Sequence, residues 1–145
     1  MAINSIFDIA GSAMSAQSVR LNTTASNLAN AETVSSSVDD TYRARKPVFA
    51  AVQQDALKAA MSGSIEDQAS RGVEVKGIVE SEAPLQKRYQ PDHPMADGEG
   101  YVFYPNVNVV EEMADMMSAS RNFQLNTEVM NSAKTMIQRL LSLGQ

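Results

Sequence analysis

The chain has no cysteine and no tryptophan, a single histidine, and only four phenylalanines and four tyrosines in 145 residues. Without cysteine, disulfide staples and thiolate chemistry are excluded. With one histidine, His93, a catalytic base or metal centre has little to work with. Twelve basic residues against 17 acidic ones leave a net charge of −5, which offers no positive surface to a nucleic acid. The nearest basic cluster is Arg43, Arg45 and Lys46, three charges in a mixed segment that read as a solvated turn or strand edge. No apolar run approaches the length of a membrane span. Asp8 and Gly11 interrupt the apolar residues Ile6, Phe7 and Ile9, so the N-terminus does not read as a secretory signal. The expectation is a protein that stays in the cytoplasm or leaves by a route that ignores such signals.

What the chain does have is two seven-residue apolar repeats at opposite ends. Near the N-terminus Phe7, Met14, Leu21 and Leu28 recur at that spacing. Ile3, Ala10, Gln17, Thr24 and Ala31 form a second series three positions out of phase. Near the C-terminus Val109, Met116, Phe123, Met130 and Ile137 repeat the period. Such a period keeps one stripe of a slightly underwound helix turned toward a partner along its whole length. It predicts long helices over 4–30 and 108–143, about 40 and 54 Å in length at the usual rise. The fold class expected is mainly α: long N- and C-terminal helices packed as a coiled-coil-like pair, with a small β-hairpin element inserted between them. Three segments follow: an N-terminal helix over 1–33, a connector and β-rich element over 34–106, and a C-terminal helix over 107–145.

The polar residues of the first helix are unusual. From Met1 to Ser35 the only charged side chains are Asp8, Arg20 and Glu32; the remaining polar positions carry Asn, Ser, Thr and Gln. Solvated helix faces favour Lys and Glu, which propagate helix better than Asn, Ser or Thr. Small uncharged polar groups suit a face that is buried yet needs hydrogen-bond partners. An amphipathic pair in a small bundle would explain the apolar spacing alone. The charge depletion points further, to a helix touched by other chains on nearly every side. Gln17, Thr24, Ser120, Thr127 and Lys134 leave polar gaps in the seam, so the helices should be poorly formed in isolation.

Local signals mark the ends of these helices. Ser5 with Asp8 three residues on resembles a capping box. Asn108 reads as the N-cap of the second helix, with Glu111, Glu112 and Asp115 at its positive end and Lys134 and Arg139 toward its negative end. Five of the nine methionines lie on that helix, at positions suited either to core gaps or to surfaces that meet differently shaped neighbours. Between the helices, Val34–Tyr42 shows no period and reads as a mobile or extended connector. Pro47–Val52 reads as a short strand, and Gln53–Ala60 as helix stopped by Ser62-Gly63-Ser64. Val73–Glu80 alternates like a half-exposed strand, followed by strands at Leu85–Tyr89 and Tyr101–Phe103 flanking a turn-rich segment. In that segment Pro91, His93 and Pro94 read as a shaped turn. Asp92, Asp97 and Glu99 are oxygen donors without metal-ligand spacing, and Gly98-Glu99-Gly100 lacks the strand and helix context of a phosphate loop. No catalytic residue, cofactor or metal is expected.

The segment Ser26-Asn27-Leu28-Ala29-Asn30-Ala31-Glu32-Thr33 resembles the N-terminal signature of the bacterial flagellar rod and hook (axial) protein family. Pro91-Asp92-His93-Pro94-Met95-Ala96, Gly100-Tyr101-Val102-Phe103-Tyr104-Pro105-Asn106-Val107 and the stretch from Glu111 to Phe123 extend the resemblance, in order, over most of the chain. Departures are Tyr42-Arg43-Ala44-Arg45, where the family often has adjacent arginines, and Phe123, where tyrosine is common. The resemblance implies a structural subunit of the proximal rod, the drive shaft of the flagellar basal body. It also implies export, unfolded, through the flagellar type III apparatus. The implied partners are further copies, other rod proteins, ring and rod-adaptor proteins and the export machinery. The residues expected to carry assembly are Phe7, Met14, Leu21, Asn27, Leu28 and Asn30 on the first helix, and Met116, Phe123, Met130, Ile137 and Leu140 on the second. Two rival readings are a cytoplasmic helical adaptor using the same seam and a small hydrolase or metal protein centred on His93.

Overall fold

The computed structural model describes residues 2–52 and 72–143. Helix α1 spans Ala2–Asn30, and α2 spans Val109–Leu143. Between them lie β1 (Arg45–Ala51), β2 (Val73–Glu80), β3 (Gln86–Tyr89) and β4 (Tyr101–Tyr104). The helix expected at Gln53–Ala60 lies outside the described residues. Helix α1 begins upstream of Ser5, so Ser5 and Asp8 sit inside it and do not form its cap. Asn108 does cap α2: its Oδ1 accepts the amides of Val110 at 3.1 Å and Glu111 at 3.4 Å. That satisfies two of the donors that open a helix, with Glu111 and Glu112 in the same turn.

One hairpin was expected; the described residues form two separate two-stranded sheets, β1–β2 and β3–β4. The first is antiparallel, since Val52 N donates to Gly72 O at one end and Ser81 N to Ala44 O at the other. In the second, Lys87 pairs with Phe103 and Tyr89 with Tyr101. Tyr89 and Tyr101 meet edge to face with ring centres 5.2 Å apart, and the Lys87 ammonium lies 4.0 Å from the Tyr101 ring centre. On the other face the Arg88 guanidinium covers Tyr104 at 4.4 Å. Cross-strand aromatic and cation–π pairs of this kind hold a sheet too small to hold itself.

The connector after α1 is neither extended nor without structure. Ser35 pairs with Phe103 through both backbone groups, adding a third rung beside β4. Ser35 Oγ and Ser37 Oγ each accept the amide two residues on, and Thr41 Oγ1 donates to Ser37 O at 2.6 Å. Ser and Thr side chains here supply the backbone partners that a helix or strand would otherwise supply.

The packing divides into two units. One comprises Met1–Val19, Val48–Gly77 and Ala119–Gln145; the other comprises Arg20–Pro47 and Ile78–Ser118. In the first unit Ser12 Oγ donates to Ile9 O at 2.9 Å and accepts Val73 N at 3.1 Å, fixing the start of β2 to α1. Gly72 there has φ +129°, and a Cβ at that position would run into Ser12 Oγ, so only glycine fits. In the second unit Arg20 meets Asp115 at 2.9 Å, Lys46 meets Glu111 at 2.8 Å, and Ala31, Ala44 and Val107 form a small core under Tyr42 and Val109.

Candidate functional site

Two asparagines of the second unit organise the place where chain leaves α1 and enters β1. Asn27 is 1% exposed. Its Oδ1 accepts the Arg45 amide and the Tyr42 hydroxyl, each at 2.9 Å, while Nδ2 donates to Arg45 O at 2.8 Å. A carboxamide has the donor and acceptor of a peptide group, so Asn27 pairs with Arg45 as a neighbouring strand would. Asn106 does the same from the other side, accepting Ala44 N at 2.8 Å and donating to Ser81 O and Ala83 O. The Arg43 guanidinium also reaches Ser81 O and Ala83 O, and Arg45 binds Glu80 through Nε and Nη2. Asn30 closes α1, its Nδ2 donating to Ser26 O at 2.8 Å. Asn106 and Tyr42 were not among the expected site residues; their signal was sequence context, since Asn106 lies inside the Gly100–Val107 motif and Tyr42 opens the Tyr42–Arg45 segment, but their bonds are visible only in three dimensions.

The electrostatics of this unit follow from the same contacts. The hydrogen bond and charge of Lys46 hold the Glu111 carboxyl below its ordinary range, and Glu111 in turn raises the Lys46 amine. Asp97, in the loop between β3 and β4, is lowered by backbone amides, chiefly that of Tyr101. Its Oδ1 accepts Tyr101 N at 2.8 Å and Glu99 N at 2.9 Å. In that loop Gly100 has φ +81°, and a Cβ there would lie 3.0 Å from the Tyr89 ring. His93 Nδ1 accepts the Met95 amide at 3.1 Å, which is the bond an Asn side chain makes in an Asx turn. Pro91 and Pro94 flank it. Among the described residues, no three His, Cys, Asp or Glu side chains converge as a metal set.

The seam residues show an inverted arrangement. Small side chains are buried: Ala10, Ala16, Thr23 and Thr24 on α1, Ala31 just after it, and Ala119, at 0% exposure, on α2. The large residues of the first repeat, Phe7, Met14, Leu21 and Leu28, are only half-buried. On α2 Met116, Met130 and Ile137 are half-buried, Phe123 is 37% exposed and Leu140 56% exposed. Met113, Met117, Leu125, Val129 and Met136 are exposed as well. The structure therefore does not gather the expected assembly residues into one core; it leaves most of them accessible. In the first unit, Thr127 Oγ1 contacts Met14 Sδ at 3.5 Å. Gln17 Oε1, at a polar gap of the second repeat, is buried without a partner among the described residues.

The sequence that builds this geometry is similar to known proteins. Residues 7–34 match the family profile described as flagella basal body rod protein, and residues 99–143 match the flagellar basal body rod FlgEFG protein C-terminal profile. Over the full length of both chains, this chain is 50% identical to the flagellar basal-body rod protein FlgC of Salmonella typhimurium strain LT2. It is 49% identical, again over all of both chains, to that of Escherichia coli O157:H7. The FlgC of Borreliella burgdorferi is 34% identical over all of this chain and 99% of its own. The Asn27 clamp falls in the first matched segment and the Asn106 clamp in the second. With such similarity from end to end, the chain belongs to the family of flagellar basal-body rod proteins FlgC.

Proposed function

We propose that this chain is a structural subunit of the flagellar rod, assembling with further copies and other axial proteins into the shaft that transmits torque. The carrying observation is that the helices bury alanine and threonine, leave the large apolar residues of the first α1 repeat half-buried, and on α2 present methionine, leucine and phenylalanine outward. Large apolar side chains in water are costly, at roughly 25 cal/mol per Å², and patches of them mark surfaces that other chains cover. A rod needs heterologous contacts that do not close on themselves. Half-buried Phe7, Met14, Leu21 and Leu28, with Met116, Phe123, Met130, Ile137 and Leu140, are suited to complete coiled-coil-like seams in the assembly. Asn27 and Asn30 act one step back, by fixing the direction in which chain leaves α1. The Pro91–Pro94 turn shapes the end of the β3–β4 sheet.

The finer reading places the subunit in the proximal rod of the basal body, in contact with ring and adaptor proteins, after export through the flagellar type III system. A chain without cysteine has no disulfide to stop it being threaded unfolded. The test is a pair of variants, Leu21→Asp and Phe123→Asp, made in a motile host. A carboxylate in a packed seam costs about 3 kcal/mol or more, so export should continue while rods fail to form. Normal swimming by either variant at wild-type protein level would remove that residue from the assembly surface.

A further inference from the structure

The first unit carries an apolar groove of about 400 Å³, lined by Ile6 of α1 and by Leu125, Val129, Ala133 and Met136 of α2, with Glu128 and Ser132 at its edge. Leu125, Val129, Met136 and Leu140 form one exposed stripe along α2, beside the half-buried stripe Asn122, Asn126, Met130, Ala133 and Ile137. The groove needs an occupant with small side chains and no charge along its contact line. Helix α1 has such a face on its outer side. Gly11, Ser15 and Ser18 follow one another at the four- and three-residue steps of a helical seam; Ser15 and Ser18 are exposed and Gly11 is partly so.

Gly11 supplies an independent reason. Glycine inside a helix costs about 0.5–1 kcal/mol relative to alanine, so it normally stands where something approaches closely. Nothing does among the described residues: a Cβ on Gly11 would have none of their atoms within 4 Å. Charge supplies a second reason. Asp8, exposed at the N-terminal end of the face, and Arg139, exposed near the C-terminal end of the α2 stripe, have no ionic partner among the described residues. Antiparallel docking brings the two together. It also sets Gly11 opposite Met136 and Ser18 opposite Val129, since these pairs share the residue-number sum of Asp8 and Arg139.

We propose that the groove of one subunit receives the Asp8–Ser18 face of α1 from a second copy of the same chain, in antiparallel register. The two faces are different surfaces of the molecule, so the contact is heterologous and propagates instead of closing. The inference rests on the rod-subunit reading and names one of its contacts.

The absence of cysteine makes a clean test possible. Cells co-expressing Ser18→Cys and Val129→Cys chains, oxidised and fractionated for basal bodies, should yield a disulfide-linked dimer containing one chain of each kind. A single-cysteine chain cannot bridge within itself, so any dimer reports a contact between copies. In parallel, Gly11→Leu should leave the isolated chain at least as helical as wild type, because the space around it is open. It should lower rod yield by about tenfold, the effect of forcing a side chain into a packed contact. Met136→Ala in the same chain should restore that yield to within about twofold, by returning the lost room. Basal bodies that contain the protein without the mixed dimer, dimers of Ser18→Cys chains alone, or normal rods with Gly11→Leu would each overturn the proposal while leaving the rod reading intact. Absence of the protein from basal bodies would overturn both.

Discussion

Single side chains here act mainly by standing in for backbone. Asn27, buried and bonded through both amide atoms, replaces a strand partner for Arg45; its loss would strand the Arg45 amide and carbonyl and leave the Tyr42 hydroxyl with its 3.3 Å contact to Ser26 Oγ. Asn27→Ala should therefore destabilise the chain by about 3 kcal/mol, given 1–3 kcal/mol for each buried group left without a partner and partial relaxation. A thermal melt followed by the tyrosine near-ultraviolet signal should show Tm lower by about 6–12 °C at this chain length. A loss under 2 °C, on the same scale, would mean water replaces the amide. His93 stands in for an Asx side chain in the same manner. His93→Asn can offer Oδ1 to the Met95 amide, so it should keep most swimming, whereas Pro94→Gly frees the turn and should impair it more. The opposite order, measured at equal protein level, would point to imidazole chemistry at His93. Little of this scale was legible beforehand. Asn27 stood out because it lies in a motif and on a charge-poor helix, but its partners are 15 and 18 residues away. Those of Asn106 are up to 62 residues away.

At the scale of elements, the Lys46–Glu111 pair ties β1 to α2 and the Asp97 carboxylate ties the β3–β4 loop to the start of β4, and their titration sets a pH dependence. Glu111 and Asp97 have folded values depressed below their ordinary 4.5 and 3.8. Their contribution is therefore present above those values and is lost as pH falls through the lower folded ones. Lys46 is raised above its ordinary 10.5, so its contribution is present below that pH and disappears as pH climbs past the folded value. Between about pH 5 and 10 neither limit applies. Both partners of the Lys46–Glu111 pair are more than half exposed, so screening by water and salt keeps the effect small. Lys46→Ala should lower Tm slightly at neutral pH, and that difference should fade as pH falls through the lowered Glu111 value and the carboxylate is protonated. A difference that stays constant through the whole acid titration of Glu111 would show that Lys46 acts through packing of its aliphatic stem. The elements themselves were the most legible part of the sequence. Two helices, the alternating strand at Val73–Glu80 and the paired strands around the turn all follow from period and composition. The capping box at Ser5 failed because the helix extends past it, and the connector failed because Ser and Thr hydroxyls supplied local bonds that no period reveals.

At the scale of the molecule, the buried apolar core among the described residues is alanine and valine while many large apolar side chains are exposed, which is a poor recipe for a stable monomer. Helices of 29 and 35 residues rich in weak helix formers draw most of their stability from packed faces. The isolated chain should therefore show much less helix than the assembled form. Far-ultraviolet circular dichroism of a proven monomer with both terminal helices fully formed would count against this. The sequence by itself determined the two helices and the absence of disulfides, because period and composition act over neighbouring residues and need no distant partner. It also carried the family resemblance, because that resides in ordered motifs. Only the tertiary structure decided which of the two α1 repeats is buried. The period is the same for both, and the choice falls to Ala10, Thr24 and Ala31 because small side chains take less room in a close-packed interior. It also decided that the strands form two sheets, since pairing depends on which backbone groups meet across long loops, and that information is spread along the chain without residing in any one segment.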